Sequence, residues 1–395
     1  MSDHLTCKGF TAGGVAAGIK KKAVLDLGLI ASESPAAVAG LFTTNRVKAA
    51  PVMLDLERIR SCTCRAVIVN SGNANCCTGE DGLVHAKQMA RYAADALGVS
   101  EGHVLVASTG VIGKPLPIEK IQASVPDLAA SLKPDGWGDF VRAIMTTDTI
   151  PKLHEIKGTI DGRHFSLIGA AKGVGMIHPE MATMLAFLCT DARIASSDLH
   201  NALVSAAAFS FNRITVDGDT STNDTALILA NGASGVVIDT PESLNYFQGL
   251  LNDMCLRLAR MLVKDGEGAG KLVDIVVKGA VSDRDALAVA KTIAGSNLVK
   301  TAFFGEDANW GRIICAVGRS GVEIDANRID IYFDNVMMVK NSAGCGDEAE
   351  TQATEVLKKP EFRVTVDLNL GHGSDRMITC DFSIDYVKIN ADYRS

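Results

Sequence analysis

Short apolar runs closed by polar or turn residues lie at 23–31 (Ala-Val-Leu-Asp-Leu-Gly-Leu-Ile-Ala) and 65–70 (Arg-Ala-Val-Ile-Val-Asn), and they read as strands. Similar runs predict strands at 104–107, 155–160, 165–170, 184–189, 226–230, 273–279, 328–333, 362–369 and 377–388. The period changes over 85–97, where Ala86, Met89, Ala90, Ala93, Ala94 and Leu97 line one side of a helix. Comparable spacing predicts helices at 198–209, 243–264 and 284–294, and loop signals bracket another within 112–136. Strands are often neighbours in sequence, with helices falling between pairs. That order predicts an α/β protein of the mixed α+β kind, its mixed sheets packed against helices, rather than a doubly wound parallel sheet.

Length and composition narrow the class. A chain of 395 residues is too long for one small core and implies two or three lobes. Aromatic residues make up 5% and glycines number 37, so the cores are expected to be aliphatic, with close backbone approaches. The formal charge of −7, with basic residues clustered only at Lys20-Lys21-Lys22, argues against a nucleic-acid groove. No apolar run is long enough to span a membrane and the start lacks a signal-peptide core, so a soluble cytoplasmic protein is expected. Neither the ten cysteines nor the eight histidines fall at metal-ligand spacing, so no metal is expected and most thiols should be buried and reduced.

Several segments carry residues suited to acyl transfer, each with a plainer reading. Residues 172–185, Lys-Gly-Val-Gly-Met-Ile-His-Pro-Glu-Met-Ala-Thr-Met-Leu, suit a glycine-rich loop entering a buried strand, or a chain that cuts itself before Thr183. A threonine freed at a new N-terminus carries an α-amine of reference pKa about 7.7–8.0, so cleavage creates nucleophile and base together. Ser108-Thr109-Gly110-Val111-Ile112-Gly113 reads as a turn directly after the 104–107 strand, where backbone amides could meet an oxyanion. Lys172 could hold a substrate carboxylate or be a solvated loop charge. The hydroxyls of Met145-Thr146-Thr147-Asp148-Thr149 could bind substrate or belong to a strand or helix cap. Asp265-Gly266-Glu267-Gly268-Ala269-Gly270-Lys271 fails as a phosphate loop, because Asp265 and Leu272 stand where glycine and Ser or Thr are required, and it reads as a helix C-cap.

Taken together, Ala182-Thr183-Met184-Leu185 and these segments resemble the ornithine acetyltransferase family (glutamate N-acetyltransferase) of arginine biosynthesis. The likeness runs from Gly9-Phe10-Thr11-Ala12-Gly13-Gly14 to Asn390-Ala391-Asp392-Tyr393. It implies a self-processing fold of the DmpA and ornithine acetyltransferase type, with cleavage between Ala182 and Thr183 into an α chain of 1–182 and a β chain of 183–395. It further implies Thr183 as nucleophile, Thr109 and Gly110 as the oxyanion hole, and Thr146 (rather than Thr147), Lys172, Thr183, Glu267, Asn390 and Ser395 as substrate contacts. The implied reaction is a cofactor-free ping-pong transfer of acetyl from N²-acetyl-L-ornithine to L-glutamate, with acetyl-CoA an additional donor in some members. The implied assembly is a heterotetramer of two α and two β chains.

Departures from the family pattern are Gly270 at a usual threonine and Cys76 where alanine is common. The segments 70–79, 212–224 and 308–312 also resemble the family and are expected to be active-site scaffolding. Two alternatives keep other classes open: a self-processing amidohydrolase or aminopeptidase that delivers the acyl group to water, and a binding or regulatory protein whose Thr183 sits in an uncut strand.

Overall fold

The computed structural model describes residues 5–21, 24–178 and 184–392. The chain forms two compact units, the first made of Met1–Asn212, Asp219–Leu262 and Arg394–Ser395, the second of Arg213–Gly218 and Val263–Tyr393. The fold is mixed α/β, with strands and helices interleaved through both units.

The first unit is built on a mixed sheet of β1 (Phe10–Val15), β2 (Leu27–Phe42), β3 (Thr63–Asn73), β4 (Val104–Val111), β5 (Lys152–Ile160), β6 (Arg163–Lys172), β7 (Leu185–Thr190) and β9 (Thr225–Ala230). Its order is β4-β3-β2-β9-β7-β6-β5, with β1 paired to β2. The β3–β4 and β7–β9 pairs are parallel and the others antiparallel. Side chains alternate along β3: Ala66 and Ile68 pack with α1 (Ala50–Arg58), α2 (Gly79–Leu97) and α3 (Ile118–Ala130), whereas Val67 and Val69 face α4 (Trp137–Ile144). Covered on both faces, β7 and β9 are buried at every position and read as continuous apolar runs.

Beyond β7, a small parallel pair, β8 (Arg193–Ile194) and β10 (Val237–Ile238), flanks α5 (Ser196–Phe209). The long α6 (Pro241–Lys264) closes against β6, where a Cβ on Gly169 would lie 2.7 Å from Met254 Sδ and 2.8 Å from Leu258 Cδ1. Only glycine allows so close an approach.

The second unit carries a sheet of order β14-β13-β12-β15-β11-β16, formed by β11 (Leu272–Ala280), β12 (Asp330–Phe333), β13 (Val336–Lys340), β14 (Ala343–Gly344), β15 (Glu361–Asp367) and β16 (Gly373–Cys380). Only β11–β15 is parallel. Its core joins Val273, Ile275 and Val277 to α7 (Asp283–Ala294) and α8 (Asn297–Phe304), with Phe303 set edge-on to Phe362 at 5.4 Å between ring centres. Helices α9 (Trp310–Gly318), α10 (Asp347–Leu357) and α11 (Ile384–Asp392) complete it.

Three expectations require correction. The strand expected at 23–31 begins at Leu27 and continues to Phe42, with a register shift between Ala31 and Ala36. Pro35 falls in that bulge, where its missing N–H leaves no ladder bond unmade. The strand expected at 377–388 ends at Cys380, and Ile384–Asp392 is helical instead. Ser383 Oγ accepts from Tyr386 N at 3.3 Å and so starts that helix. Finally, Thr109 and Gly110 belong to β4 itself, which runs to Val111, not to a turn following it. The expected helix-capping region at 265–271 does follow α6, with Gly266 N donating to Val263 O at 3.0 Å.

Candidate active site

Lys172 is the last residue of β6 and pairs in register with Leu185 of β7, so the strand delivers it to the sheet end where residues 173–184 begin. Its side chain is 5% exposed. An ammonium taken out of water requires polar partners, and two neutral hydroxyls supply them: Lys172 Nζ donates to Thr146 Oγ1 at 2.8 Å and to Thr109 Oγ1 at 3.2 Å. The solvated loop charge considered for Lys172 is therefore excluded. Three residues from separate stretches, Thr109, Thr146 and Lys172, meet at one point.

Asp148 organises this cluster. Its Oδ2 accepts from Thr146 N at 3.0 Å and lies 3.9 Å from Lys172 Nζ, while its Oδ1 accepts from Lys152 Nζ at 2.7 Å and from Gly173 N at 2.8 Å. Burial alone would raise the Asp148 carboxyl, but Lys172 and Lys152 outweigh it and hold the group below the usual carboxylate range. A further cation, Lys20, donates to Met145 O at 2.6 Å and Leu25 O at 3.1 Å. Burial lowers its ammonium to about 8, with Asp26 opposing and Lys172 adding to the shift.

Gly110 ends the other arm of the site. It has φ +132, and a Cβ there would stand 2.4 Å from Gly72 C and 2.6 Å from Asn73 N of the neighbouring strand. The β3–β4 register shifts at this point. An asparagine-rich network holds the irregular strand ends together. Ser108 Oγ donates to Asn70 Oδ1 at 2.6 Å, Asn70 Nδ2 to Asn73 O at 2.9 Å, and Asn223 Nδ2 to both Ala74 O (2.7 Å) and Ser108 O (2.8 Å). These bonds give the 70–79 segment, and Asn223 at the end of 212–224, a definite local role.

Sequence reasoning missed Asp148, Lys20 and Asp224 as single residues. Asp224 is fully buried just before β9 and its Oδ1 accepts from Met184 N at 3.0 Å, so it grips the residue that follows Thr183. Its Oδ2 is buried, with no hydrogen-bond partner of normal geometry among the described residues. Burial pushes this carboxyl well above the usual range, despite the Met184 amide, Thr43 and Lys172 favouring its charged form. The only hint in the sequence was the acidic residue closing the 212–224 segment.

The remaining expected residues divide between the second unit and the chain outside the described residues. In the second unit, Asn390 Nδ2 of α11 donates to Glu267 at 2.8 Å and to Tyr386 O at 3.1 Å, so these two expected contacts are brought together. Gly270 N donates to Asp381 Oδ1 at 2.8 Å. Asn309, in the 308–312 segment, caps α9 by accepting from Arg312 N. Ala182, Thr183 and Ser395 lie outside the described residues. No group of three or more metal-ligating side chains occurs among the described residues, and no described helix is long and apolar enough to cross a membrane.

A buried ammonium thus bridges two hydroxyls beside a glycine-restricted strand end. The chain has relatives along its whole length. An arginine biosynthesis bifunctional protein ArgJ of Geobacter sulfurreducens is 53% identical over 393 residues, 99% of this chain and 100% of that protein. The protein of the same description from Syntrophotalea carbinolica is 51% identical, across 98% of this chain and 99% of its own length. A solved ArgJ structure from Bacillus halodurans is 43% identical with a TM-score of 0.50, covering 52% of this chain and 98% of that one. The protein is an acyltransferase of arginine biosynthesis. The chain belongs to the ArgJ family, whose model matches residues 11–395.

Proposed function

We propose that the chain cuts itself between Ala182 and Thr183 and then moves an acetyl group from N²-acetyl-L-ornithine to L-glutamate. Thr183 Oγ attacks the acetyl carbonyl carbon while its proton passes to the threonine's own α-amine. Thr109 and Gly110 donate to the resulting oxyanion, and the C–N bond breaks as the ornithine nitrogen takes the proton back. The acetyl-threonine ester is then attacked by the glutamate amine, and the same steps in reverse regenerate Thr183. Lys172 and Thr146 hold the α-carboxylate common to both amino acids. Glu267, Asn390 and Ser395 are carried over from the family resemblance as further substrate contacts.

The observation that carries this reading is the bonding of buried Lys172 to both Thr109 and Thr146. The cut is further supported by the Bacillus halodurans chain, which is matched almost completely yet spans about half of this one, as half of a divided polypeptide would. A cut chain stays joined, because β6 on one side of residue 182 pairs with β7 on the other, and β2 pairs with β9. The proposed assembly is two α and two β chains, in the cytoplasm.

Mass spectrometry of the purified protein tests the cut: fragments of 182 and 213 residues (395 − 182 = 213) are expected. Thr183→Ala should leave one uncut, inactive chain, and an intact, fully active single chain overturns the mechanism. Paired assays with acetylornithine plus glutamate and acetyl-CoA plus glutamate then decide whether acetyl-CoA also serves as donor.

A further inference from the structure

Two cysteines, Cys76 and Cys77, stand side by side in the sequence, and the structure brings their sulfurs together. Cys76 and Cys77 occupy the turn between β3 and α2, their sulfurs 3.7 Å apart. Cys76 is 1% exposed, whereas Cys77 is exposed and lines a cavity of about 360 Å³ together with Arg46, Lys48 and Thr78. Residues Asn75 and Cys77 both adopt left-handed backbone, with φ 46 and 55, which folds the turn tightly around the buried thiol. One sulfur is therefore open to small solutes and the other stands behind it, the arrangement in which an attacking thiol meets a resolving one.

The turn is also wired to β4. Gly113 N donates to Cys76 O at 2.9 Å and Ala74 N to Val111 O at 3.0 Å. Asn223 Nδ2 bridges Ala74 O and Ser108 O, one residue before Thr109. A disulfide needs its sulfurs about 2.05 Å apart, so closing the pair draws them together by well over an ångström. In so short a turn that movement is passed to the backbone carbonyls these bonds use.

We propose that Cys76 and Cys77 form a vicinal dithiol site that hydrogen peroxide closes to a disulfide, and that closure disturbs the Thr109–Gly110 strand end and slows acyl transfer. The exposed Cys77 thiolate attacks the peroxide O–O bond, giving a sulfenic acid and hydroxide. Cys76 sulfur then attacks the sulfenic sulfur, the S–S bond forms as the S–O bond breaks, and the Cys76 proton leaves with the departing oxygen as water. Two thiols are oxidised, and one peroxide is reduced to two waters. A strained ring of adjacent cysteines is readily reopened by a dithiol reductant. Burial raises the Cys76 thiol above its ordinary value, in keeping with Cys77 as the attacking group.

The effect on transfer rests on the oxyanion role proposed for Thr109 and Gly110. The test treats the processed protein with hydrogen peroxide, maps the peptide holding residues 76 and 77 by mass, and assays acetylornithine–glutamate transfer before and after dithiothreitol. The expected result is loss of two hydrogens from that peptide, with a reversible fall in transfer of about tenfold or more, since losing one oxyanion donor costs 10²–10³. Cys76→Ala and Cys77→Ser should keep basal activity and resist peroxide. The proposal is overturned if the peptide keeps both hydrogens, if the disulfide forms with transfer intact, or if Cys76→Ala is inactivated to the same extent through Cys62, Cys315 or Cys345, the other exposed thiols. Absence of transfer before any oxidation would sink the proposed function instead, and the peptide map would still decide whether the disulfide forms.

Discussion

Lys172 and Asp224 illustrate how burial changes a residue's meaning. In the sequence Lys172 is a cation at the head of a glycine-rich stretch. In the structure it is a buried donor to two threonines. Lys172→Met keeps the stem and removes the charge, so KM for both acetylornithine and glutamate should rise by roughly 10- to 150-fold, the value of a charged hydrogen bond of about 1.5–3 kcal/mol. Steady-state kinetics on processed protein checks this, and unchanged constants for both substrates would remove Lys172 from the carboxylate site. For Asp224, Asn preserves an acceptor for Met184 N, whereas Ala leaves that buried amide unpaired at a cost of about 1–3 kcal/mol. Thermal unfolding should therefore rank Asp224→Ala clearly below Asp224→Asn. The carboxyl is raised in the folded protein, so the folded chain holds a proton that the unfolded chain releases. Its contribution is full below about pH 4 and declines as pH rises towards the raised value. Relative to the parent, Asp224→Asn should gain stability across that rise, and a difference that stays flat with pH would show the carboxyl to be unshifted.

Among the elements, the strand end at Thr109–Gly110 departs most from its sequence reading. A serine, a threonine and a glycine after an apolar run look like a turn, yet the run continues as β4 because β3 offers it a parallel partner as far as Asn73. Gly110→Ala would place a Cβ 2.4 Å from Gly72 C at a left-handed φ of +132. Backbone strain of this kind costs about 1–3 kcal/mol before the clash is counted. The variant should lose transfer and melt lower than the parent, and a fully active, equally stable Gly110→Ala would show that the strand end has room to relax. The same competition explains β2 and α11. Pro35 signals a break, but a bulge absorbs it within the sheet. The β-branched residues of 384–389 suggest a strand, but the Ser383 cap starts a helix there instead.

At the scale of the whole molecule, the proposed cut falls inside one folded unit rather than between the two. The fragments should therefore co-elute in native size exclusion and part only under denaturing conditions, since separating them breaks the β6–β7 and β2–β9 ladders. Fragments that separate without denaturant would contradict this pairing. The acid limb of stability follows from Asp148. Its carboxyl is depressed in the folded state, so its contribution is present above about pH 4 and is lost as pH falls below that. Asp148→Asn should flatten this limb in pH-dependent unfolding, and an unaltered limb would assign acid sensitivity to other carboxyls. Family resemblance supplied the roles considered for Thr109, Thr146, Lys172 and Glu267, while the hydrophobic pattern, read alone, determined the mixed α/β class and the positions of β3, α2, α5, α6, α7 and β11. These were legible because periodicity and residue type are local properties. Only the tertiary structure decided that Lys172 is buried, that Asp148 is shared by two ammonium groups, that Asp224 grips Met184, and that Cys76 faces Cys77 beside the β4 strand end. Each of the first three depends on residues dozens of positions apart, and the reach of the thiol pair to β4 depends on Asn223. Burial and charge pairing arise only when the sheet brings those residues together.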